Sequence, residues 1–299
     1  MVTGASHADA AILVVDVKEG VKEQTKRHAY VLKILGVDRI IVAINKMDLV
    51  DYSKEEFEGV RESIARYLSS IGLKPQAYVP ISAYNGDNVV KKSNKMDWYK
   101  GLVLVEELDK IEIKKKGYDF RFCAQDVYKN IAIGSILSGT IKEGDELVVY
   151  PEESEARVKE IRYGTERLKM AEAPLAIGLI LEGKIKVKRG HVLCKGKRPK
   201  VVDRIETYVM CLIDSLKENE KYELLCYTQE ANCKIERIVE KLDVETLKRK
   251  SGKELKEAEI GKVVIKLEKS VVMEEFENLP ELGRFAIARN GKLIAGGRI

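Results

Sequence analysis

The pattern of apolar and polar residues changes once along this chain. In the first third, three continuous apolar runs predict strands that are buried on both faces of a sheet. These runs are Ala10–Val15, Arg39–Ile44 and Ala77–Ile81. Stretches with helical spacing separate them. The first predicted helix extends from Gln24 to Leu35 and stops before Gly36, since glycine tolerates the left-handed conformation that follows many helices.

Two further helices complete this pattern. Ser53 and Glu56 match a capping box, and apolar residues follow them at helical spacing on one face. A third helix is predicted from Trp98 to Leu108. Strands that alternate with helices are typical of a parallel, doubly wound sheet with right-handed crossovers. The first third is therefore predicted to be an α/β domain.

Beyond residue 117 the chain predicts strands without helices. Short apolar runs and turn signals follow one another closely, which is typical of small β-barrels. Asn290-Gly291 is the clearest hairpin turn, because both residues tolerate positive φ. The predicted domains are residues 1–112 (α/β), 113–117 (a charged linker), 118–200 (one β-barrel) and 201–299 (a second β-barrel).

Composition excludes a few classes of protein. Apolar residues make up 45% of the chain and charged residues 34%, so the chain can bury ordinary cores and is not disordered. The net charge of +5 is spread along the chain without a basic arm, which argues against a dedicated DNA-binding protein. We therefore expect no DNA partner.

Cysteine usage and hydropathy indicate the compartment. The five cysteines form no C-x-x-C pair, and only three histidines accompany them. This predicts buried free thiols in a reducing environment rather than a zinc site or a disulfide framework. The sequence shows no apolar run long enough to span a membrane and no signal segment at its start. We therefore expect a cytoplasmic protein with no membrane contact.

The candidate chemistry lies where two predicted strands end. Asn45-Lys46-Met47-Asp48 directly follows the second strand, and ligands of doubly wound sheets bind beyond the carboxyl ends of strands. The Asp48 carboxylate can accept two hydrogen bonds from N1–H and the 2-amino group of guanine, a pair of donors that adenine lacks. The aliphatic stem of Lys46 can cover the base, and Asn45 can join neighbouring loops. Alone, N-K-x-D also fits a solvated turn.

The third strand supplies a matching segment. Ser82-Ala83 follows Ile81 directly and is expected at the same edge of the sheet. The Ala83 amide can donate to guanine O6, and Ser82 can brace Asp48. Together the two segments predict a guanine-binding site formed by Asn45, Lys46, Asp48, Ser82 and Ala83. No catalytic residue and no metal ligand is predicted from this sequence.

These motifs give the chain a family resemblance. Residues 1–112 resemble the second half of a translation-factor-type GTPase domain, with Met1–Ser6 similar to the stretch after that family's D-x-P-G-H motif and Gln24–His28 to its Q-T-R-x-H helix. The two predicted barrels fit the layout of elongation factor Tu. The resemblance implies part of a P-loop-GTPase-type parallel sheet followed by two β-barrels, with GTP as the cofactor.

Shorter segments point to two subfamilies. Val14–His28, Asn45–Ser53 and Asp243–Leu247 look most like the large GTPase subunit of ATP sulfurylase. Gln125–Lys129, Ser251–Leu255 and Leu282–Ala286 look like elongation factor 1-alpha. The first likeness implies a GTP-binding subunit of sulfate adenylyltransferase. Such a subunit couples GTP hydrolysis to synthesis of adenosine 5′-phosphosulfate from ATP and sulfate by a small catalytic partner subunit.

The second likeness leaves an alternative. A translation elongation factor uses the same guanine site and barrels, with aminoacyl-tRNA and the ribosome as its partners. A binding scaffold without GTPase activity is a third possibility. A pull-down discriminates between the first two, because a sulfurylase small subunit supports one and charged tRNA the other.

One part of the family pattern does not occur in the sequence. There is no G-x-x-x-x-G-K-[ST] segment, which in this family cradles the phosphates and supplies a Mg²⁺ ligand. We therefore expect the chain to be a fragment that begins after the phosphate-binding half. We expect it to bind GTP poorly and not to hydrolyse it, and the Ala10–Val15 strand to expose an unpaired apolar edge.

Overall fold

The computed structural model describes residues 8–112, 118–183, 186–243 and 246–299. The chain divides into two compact units, Met1–Lys114 with Asp243–Lys248, and Lys115–Leu242 with Arg249–Ile299. The predicted linker at 113–117 and the segment Met1–Ser6 lie outside the described residues. The domain boundaries at residues 112, 118 and 200 stay a prediction.

The first unit is the predicted α/β domain. Its elements, in chain order, are β1 (Ala11–Asp16), α1 (Glu23–Leu35), β2 (Ile40–Asn45), a 3₁₀ turn (Met47–Val50), α2 (Lys54–Ser70), β3 (Ala77–Pro80) and α3 (Leu104–Asp109). The strands form a parallel sheet in the order β1-β2-β3. Helical crossovers between parallel neighbours bring the carboxyl ends of all three strands to one edge of this sheet.

Burial differs between the strands. Ile40 to Ile44 of the central strand β2 are fully buried, as predicted. The prediction that β1 is buried on both faces is wrong, because Ile12 is 38% and Val14 55% exposed. β1 pairs with β2 alone among the described strands, so it is an edge strand. Its inward residues Leu13 and Val15 are buried, and its other face is open to solvent.

Local signals set the helix ends. Gly36 adopts a left-handed conformation with φ of 72°, and its N–H bonds back to the last turn of α1. Ser53 accepts a hydrogen bond from the Glu56 amide at 3.3 Å, so this half of the predicted capping box is present. The predicted helix from Trp98 to Leu108 is wrong in its first half, because α3 begins at Leu104.

A tertiary hydrogen bond explains that difference. The indole N–H of Trp98 donates to the Tyr52 carbonyl at 3.0 Å. The Trp98 ring packs against Phe57 of α2 with a centroid distance of 5.3 Å. These contacts hold the residues before Leu104 in turns rather than in a helix. Tertiary packing therefore overrides the helix propensity of this segment.

The described part of the second unit consists of strands and one short helix. The first barrel and its hairpins contain β4 (Phe120–Tyr128), β5 (Ile131–Ser138), β6 (Thr140–Lys142), β7 (Glu146–Tyr150), β8 (Ser154–Tyr163), β9 (Glu166–Leu168), β10 (Met170–Glu172), β11 (Leu175–Leu181) and β12 (Val192–Lys195). The second contains β13 (Lys200–Cys211), β14 (Ser215–Lys217), β15 (Lys221–Cys226), β16 (Gln229–Leu242), β17 (Arg249–Lys250), β18 (Glu254–Lys256), β19 (Ile260–Met273), α4 (Pro280–Gly283), β20 (Arg284–Arg289) and β21 (Lys292–Arg298).

Both sets of strands close into six-stranded barrels. In the first, the order β11-β5-β4-β12-β7-β8 is closed by pairing of β8 with β11. In the second, the order β15-β20-β21-β13-β19-β16 is closed by pairing of β15 with β16. Asn290 and Gly291 have φ of 52° and 73°, which confirms the predicted hairpin between β20 and β21.

A buried ion pair joins the two barrels. The Arg121 side chain on β4 is fully buried, and its Nε donates to Glu274 Oε1 at 2.7 Å. Tyr118 Oη donates to the other Glu274 oxygen at 2.7 Å. Burial and the Glu274 carboxylate raise the pKa of Tyr118 to about 12, so its hydroxyl remains a donor. Arg121 also donates to the carbonyls of Phe120 and Lys197.

The apolar core is continuous across this junction. One cluster of buried side chains contains Cys123 and Val192 of the first barrel together with Ile205 and Leu224 of the second. The five cysteines are buried free thiols, as predicted. Within the described ranges, no helix is long and apolar enough to cross a membrane. The shared core and the buried ion pair make the two barrels one packed body.

The Arg121–Glu274 pair is expected to be worth more than any surface pair in this unit. Glu274→Gln leaves a buried guanidinium without its carboxylate, so the free energy of unfolding should fall by ~3 kcal/mol. Denaturant titration followed by far-ultraviolet circular dichroism measures it. Glu268→Gln is the control, because Glu268 meets Lys221 at 3.7 Å on the surface. Equal effects of the two substitutions would contradict this prediction.

Candidate functional site

The ends of three parallel strands bring the predicted site residues together. Asp16 ends β1 and Asn45 ends β2, and the two are register partners. Ser82 follows β3, in which Pro80 pairs with Ile44. The Met47 amide donates to the Ile81 carbonyl at 3.2 Å, so the loops after β2 and β3 are joined by backbone at their origin.

Asp48 and Ser82 are in direct contact. Ser82 Oγ donates to Asp48 Oδ1 at 2.6 Å, and the Ser82 side chain is completely buried. Lys46 adopts a left-handed conformation with φ of 66°, which turns the chain into the 3₁₀ turn that carries Asp48. The predicted bracing of Asp48 by Ser82 is thus present in the structure. Asp48 Oδ2 has no hydrogen-bond partner among residues 8–112.

Asn45 and Ala83 form the second link between the loops. The Ala83 amide donates to Asn45 Oδ1 at 3.0 Å. Donation from this amide to guanine O6 stays a prediction. A ligand oxygen placed there must share the amide with Asn45 or displace it. The Asn45 side chain joins the loops, which was its other predicted role.

Lys46 is fixed by a residue that sequence reasoning missed. Its Nζ lies 2.7 Å from Asp16 Oδ2, while Asp16 Oδ1 accepts the amides of Lys18 and Glu19 at 2.9 and 3.2 Å. The signal was available, because Asp16 is a carboxylate at the carboxyl end of a predicted strand. The pairing of Asp16 with Lys46 could not be predicted from the sequence, because it requires β1 and β2 to be neighbours.

The Asp16–Lys46 pair also determines the charge of both side chains. Burial raises the pKa of Asp16, but the hydrogen bonds from Lys46 and from two backbone amides outweigh it and hold the pKa below its usual range. The hydrogen bond to Asp16, and its charge, raise the pKa of Lys46. Both groups are therefore ionised at neutral pH, and the Lys46 stem is held across the gap between β1 and β2.

A tight turn fixes the loop after β3. The backbone of Ser82 and Asp87 pairs in both directions at 3.1 Å. The buried Asn88 side chain donates to the Pro80 carbonyl at 3.0 Å and accepts from the Ser93 amide at 2.8 Å. Asp87 and Asn88 therefore support the turn that carries Ser82. Ala83, Tyr84 and Asn85 project outward, and Tyr84 is 93% exposed.

The arrangement suits recognition of a planar ligand with paired donors. The half-buried Asp48 carboxylate, the Asn45 side chain and the exposed Ala83 loop converge at one edge of the sheet. Such a set binds a ligand by hydrogen bonding, and within it the buried Ser82 hydroxyl orients the Asp48 carboxylate. Across the described part of the chain, no group of three or more His, Cys, Asp or Glu side chains has the arrangement of a metal site.

Comparison with known proteins identifies the family. The model of the elongation factor Tu GTP-binding domain matches residues 1–174, and that of the GTP-eEF1A C-terminal domain matches residues 204–299. Elongation factor 1-alpha of Methanopyrus kandleri is 37% identical, over 99% of this chain and 76% of its own length. That of Pyrococcus abyssi is 36% identical, over 100% and 75%.

The chain belongs to the elongation factor Tu/1-alpha family of GTPases. Solved structures share its fold: Sup35 complexed with GMPPNP aligns with a TM-score of 0.58 at 24% identity, covering 99% of this chain and 78% of that one. Sup35 complexed with GDP aligns with a TM-score of 0.57. The predicted fold, a GTPase-type parallel α/β sheet followed by two β-barrels, is confirmed.

The predicted subfamily is wrong. Relatives 34–37% identical over nearly the whole chain are named elongation factor 1-alpha. The assignment to sulfate adenylyltransferase, with a small catalytic ATP sulfurylase subunit as partner, therefore falls. It rested on short segments rather than on similarity over the whole chain.

The Asp16–Lys46 pair gives a direct electrostatic test. Asp16→Asn removes the carboxylate that stabilises the ammonium, so the pKa of Lys46 should fall toward its ordinary value. Titration of the Lys46 side chain by carbon-detected NMR measures the shift. Glu19→Gln serves as the control, because Glu19 is a weaker contributor to the same pKa. An unchanged Lys46 in Asp16→Asn would show that the pair does not persist in solution.

Proposed function

We propose that this protein binds guanine nucleotides through Asn45, Lys46, Asp48, Ser82 and Ala83 and acts in the cytoplasm as a translation elongation factor. The observation that carries the first part is the convergence of Asp48 with Ser82, and of Asn45 with Ala83, at the carboxyl ends of β2 and β3. Membership of a GTPase family supports the ligand class, since the matching domain model is a GTP-binding one.

Each residue has a distinct part in the proposed recognition. Asp48 accepts N1–H and the 2-amino group of guanine, with its carboxylate oriented by Ser82. The Ala83 amide moves from Asn45 to O6 of the base, and Asn45 then offers its own amide group. Lys46, held by Asp16, covers the ring with its aliphatic stem. Any Mg²⁺ is expected beside the phosphates of the nucleotide rather than at these base-reading residues.

Discrimination follows from the unpaired groups that a wrong base leaves. Adenine presents an acceptor at N1 and no 2-amino group, so the Asp48 carboxylate would lose both donors on its binding. A desolvated carboxylate without partners costs more free energy than a paired one gains. The site therefore rejects adenine nucleotides because they leave the Asp48 carboxylate unpaired, and not because of their shape.

Asp48→Asn tests this assignment. An amide at position 48 offers a donor to the 2-oxo group of xanthine and repels the 2-amino group of guanine. Guanosine affinity should fall at least about tenfold, and xanthosine should become the preferred nucleoside. NMR titration with each nucleoside, following the Ala83 amide, measures both affinities. Asp51→Asn, a matched change at an exposed left-handed residue, is the control. Unchanged guanosine binding in Asp48→Asn would refute the site.

A cleft between the two barrels supports a nucleic-acid partner. It has a volume of about 300 Å³, and Lys188, Arg189, His191, Thr228, Glu230 and Lys269 are among its lining residues. Arg189 lies 3.6 Å from Glu230, and His191 lies 3.4 Å from Glu152. Lys188 and Lys269 have no acidic partner among the described residues. They therefore leave an excess of positive charge in the cleft.

Two further observations agree with an anionic ligand there. The Thr228 side chain is buried, and its hydroxyl has no hydrogen-bond partner in the described structure. Burial lowers the pKa of His191; Glu152 opposes this, and Lys188 and Lys269 lower the pKa further. The two lysines thus face the same space. We infer that the cleft contacts phosphates of aminoacyl-tRNA, the partner expected of an elongation factor, which acts with it on the ribosome.

The cleft prediction concerns the salt dependence of tRNA binding. Replacing both Lys188 and Lys269 by glutamine should weaken aminoacyl-tRNA binding and reduce the slope of log K against log salt by ~1.5. Filter binding with GTP present, across a salt series, gives the slope. Lys253→Gln with Lys292→Gln is the control, because it changes the net charge equally at exposed sites. The same slope in both double variants would exclude the cleft.

A further inference from the structure

A second group of polar side chains joins the two site loops behind the base-reading residues. Tyr52 Oη donates to Asp87 Oδ2 at 2.9 Å, and Ser93 Oγ donates to Asp87 Oδ1 at 2.8 Å. Lys95 Nζ donates to Tyr52 Oη at 3.0 Å and lies 3.6 Å from the Asp87 carboxylate. We call Tyr52, Asp87, Ser93 and Lys95 the Asp87 network.

The network is continuous with the residues proposed to read the base. The backbone of Asp87 pairs in both directions with Ser82, at 3.1 Å each way. Ser82 in turn donates to Asp48 at 2.6 Å. On the other side, the Tyr52 amide donates to the Met47 carbonyl at 2.9 Å, next to Asp48 in the chain. The hydrogen bonds therefore form a closed circuit that begins and ends at the loop of Asp48.

Neighbouring groups fix the orientation of the Tyr52 side chain. Its backbone has a left-handed conformation with φ of 58°, and its carbonyl accepts the Trp98 indole N–H at 3.0 Å. The Lys95 ammonium lies 4.8 Å from the centre of the Tyr52 ring. Asn85 Nδ2 donates to the Tyr52 hydroxyl at 3.1 Å, which ties the exposed loop to the same oxygen. One hydroxyl thus contacts three groups from the loop after β3 and the segment beyond it.

We propose that Tyr52 and Asp87 are positioning residues for guanine recognition, which fix the distance between Asp48 and the Ser82–Ala83 loop. This inference rests on the proposed function. Neither residue touches the expected base. They hold the two loops in register across a gap that backbone pairing closes only at the strand ends.

Register matters because three hydrogen bonds must form at once. The Asp48 carboxylate has to meet N1–H and the 2-amino group while the Ala83 amide meets O6. A loop that drifts apart can still make one of these bonds but not all of them. Loss of positioning therefore reduces the free energy of binding gained from the 2-amino group, which guanosine has and inosine lacks. The free energy of unfolding changes less.

Tyr52→Phe tests the proposal, because it keeps the ring and removes the hydroxyl. The ratio of guanosine to inosine affinity should fall about tenfold, because the hydrogen bond from Tyr52 to the charged Asp87 carboxylate no longer orients the loop. NMR titration with the two nucleosides gives the ratio, and thermal unfolding should change little. Lys95→Gln, at an exposed residue, should lower the ratio in the same direction. Tyr163→Phe, on a half-exposed tyrosine of β8, is the matched control.

The outcomes separate this inference from the function on which it rests. If the unaltered protein prefers guanosine and Tyr52→Phe retains the full preference for it over inosine, the positioning role is excluded and the guanine site stands. A uniform loss of affinity for both nucleosides with a lower unfolding midpoint shows a structural role and also overturns the proposal. If the unaltered protein binds neither nucleoside, the guanine site and the positioning role both fail.

Discussion

Parallel pairing of β2 with β1 and β3 is the constraint on which the rest of this unit depends. Parallel strands joined by crossovers present their carboxyl ends at one edge, and there the chain places Asp16, Asn45 and Ser82. Each residue then finds its partner on a neighbouring strand end: Asp16 meets Lys46, Asn45 meets Ala83, and Ser82 meets Asp48. Polar groups that are distant along the chain become a single site because the sheet order brings them there.

The loops of the site are stabilised in layers. At the strand ends, the Met47 amide bonds to Ile81. Further out, side chains join the loops, and the buried Ser82 hydroxyl is the central link. Beyond these, the Asp87 carboxylate collects donors from Tyr52 and Ser93. Buried or half-buried polar groups of this kind are stable only when each finds a partner, so the arrangement specifies one loop geometry rather than several.

In the second unit, the central feature is the junction between the two barrels. Two small barrels joined by an apolar contact alone could slide, but Arg121 and Glu274 form a buried pair whose remaining donors reach backbone carbonyls. Such a pair contributes little net stability compared with apolar packing, but it links the two barrels through specific hydrogen bonds. The cleft with Lys188 and Lys269 depends on that junction, because its walls come from both barrels. A fixed junction is what gives this surface a defined pattern of charge.

The sequence alone determined the elements and the class of fold. Apolar runs located β1, β2 and β3, the Asn290-Gly291 turn located a hairpin, and N-K-x-D with S-A located the candidate site, because these signals are local in the chain. Tertiary structure decided the rest. Trp98 lies outside a helix and donates to Tyr52, β1 exposes Ile12 and Val14 on one face, and Asp16 contacts Lys46 at the site. Each of these outcomes depends on which distant segments meet, and that information is absent from any local pattern.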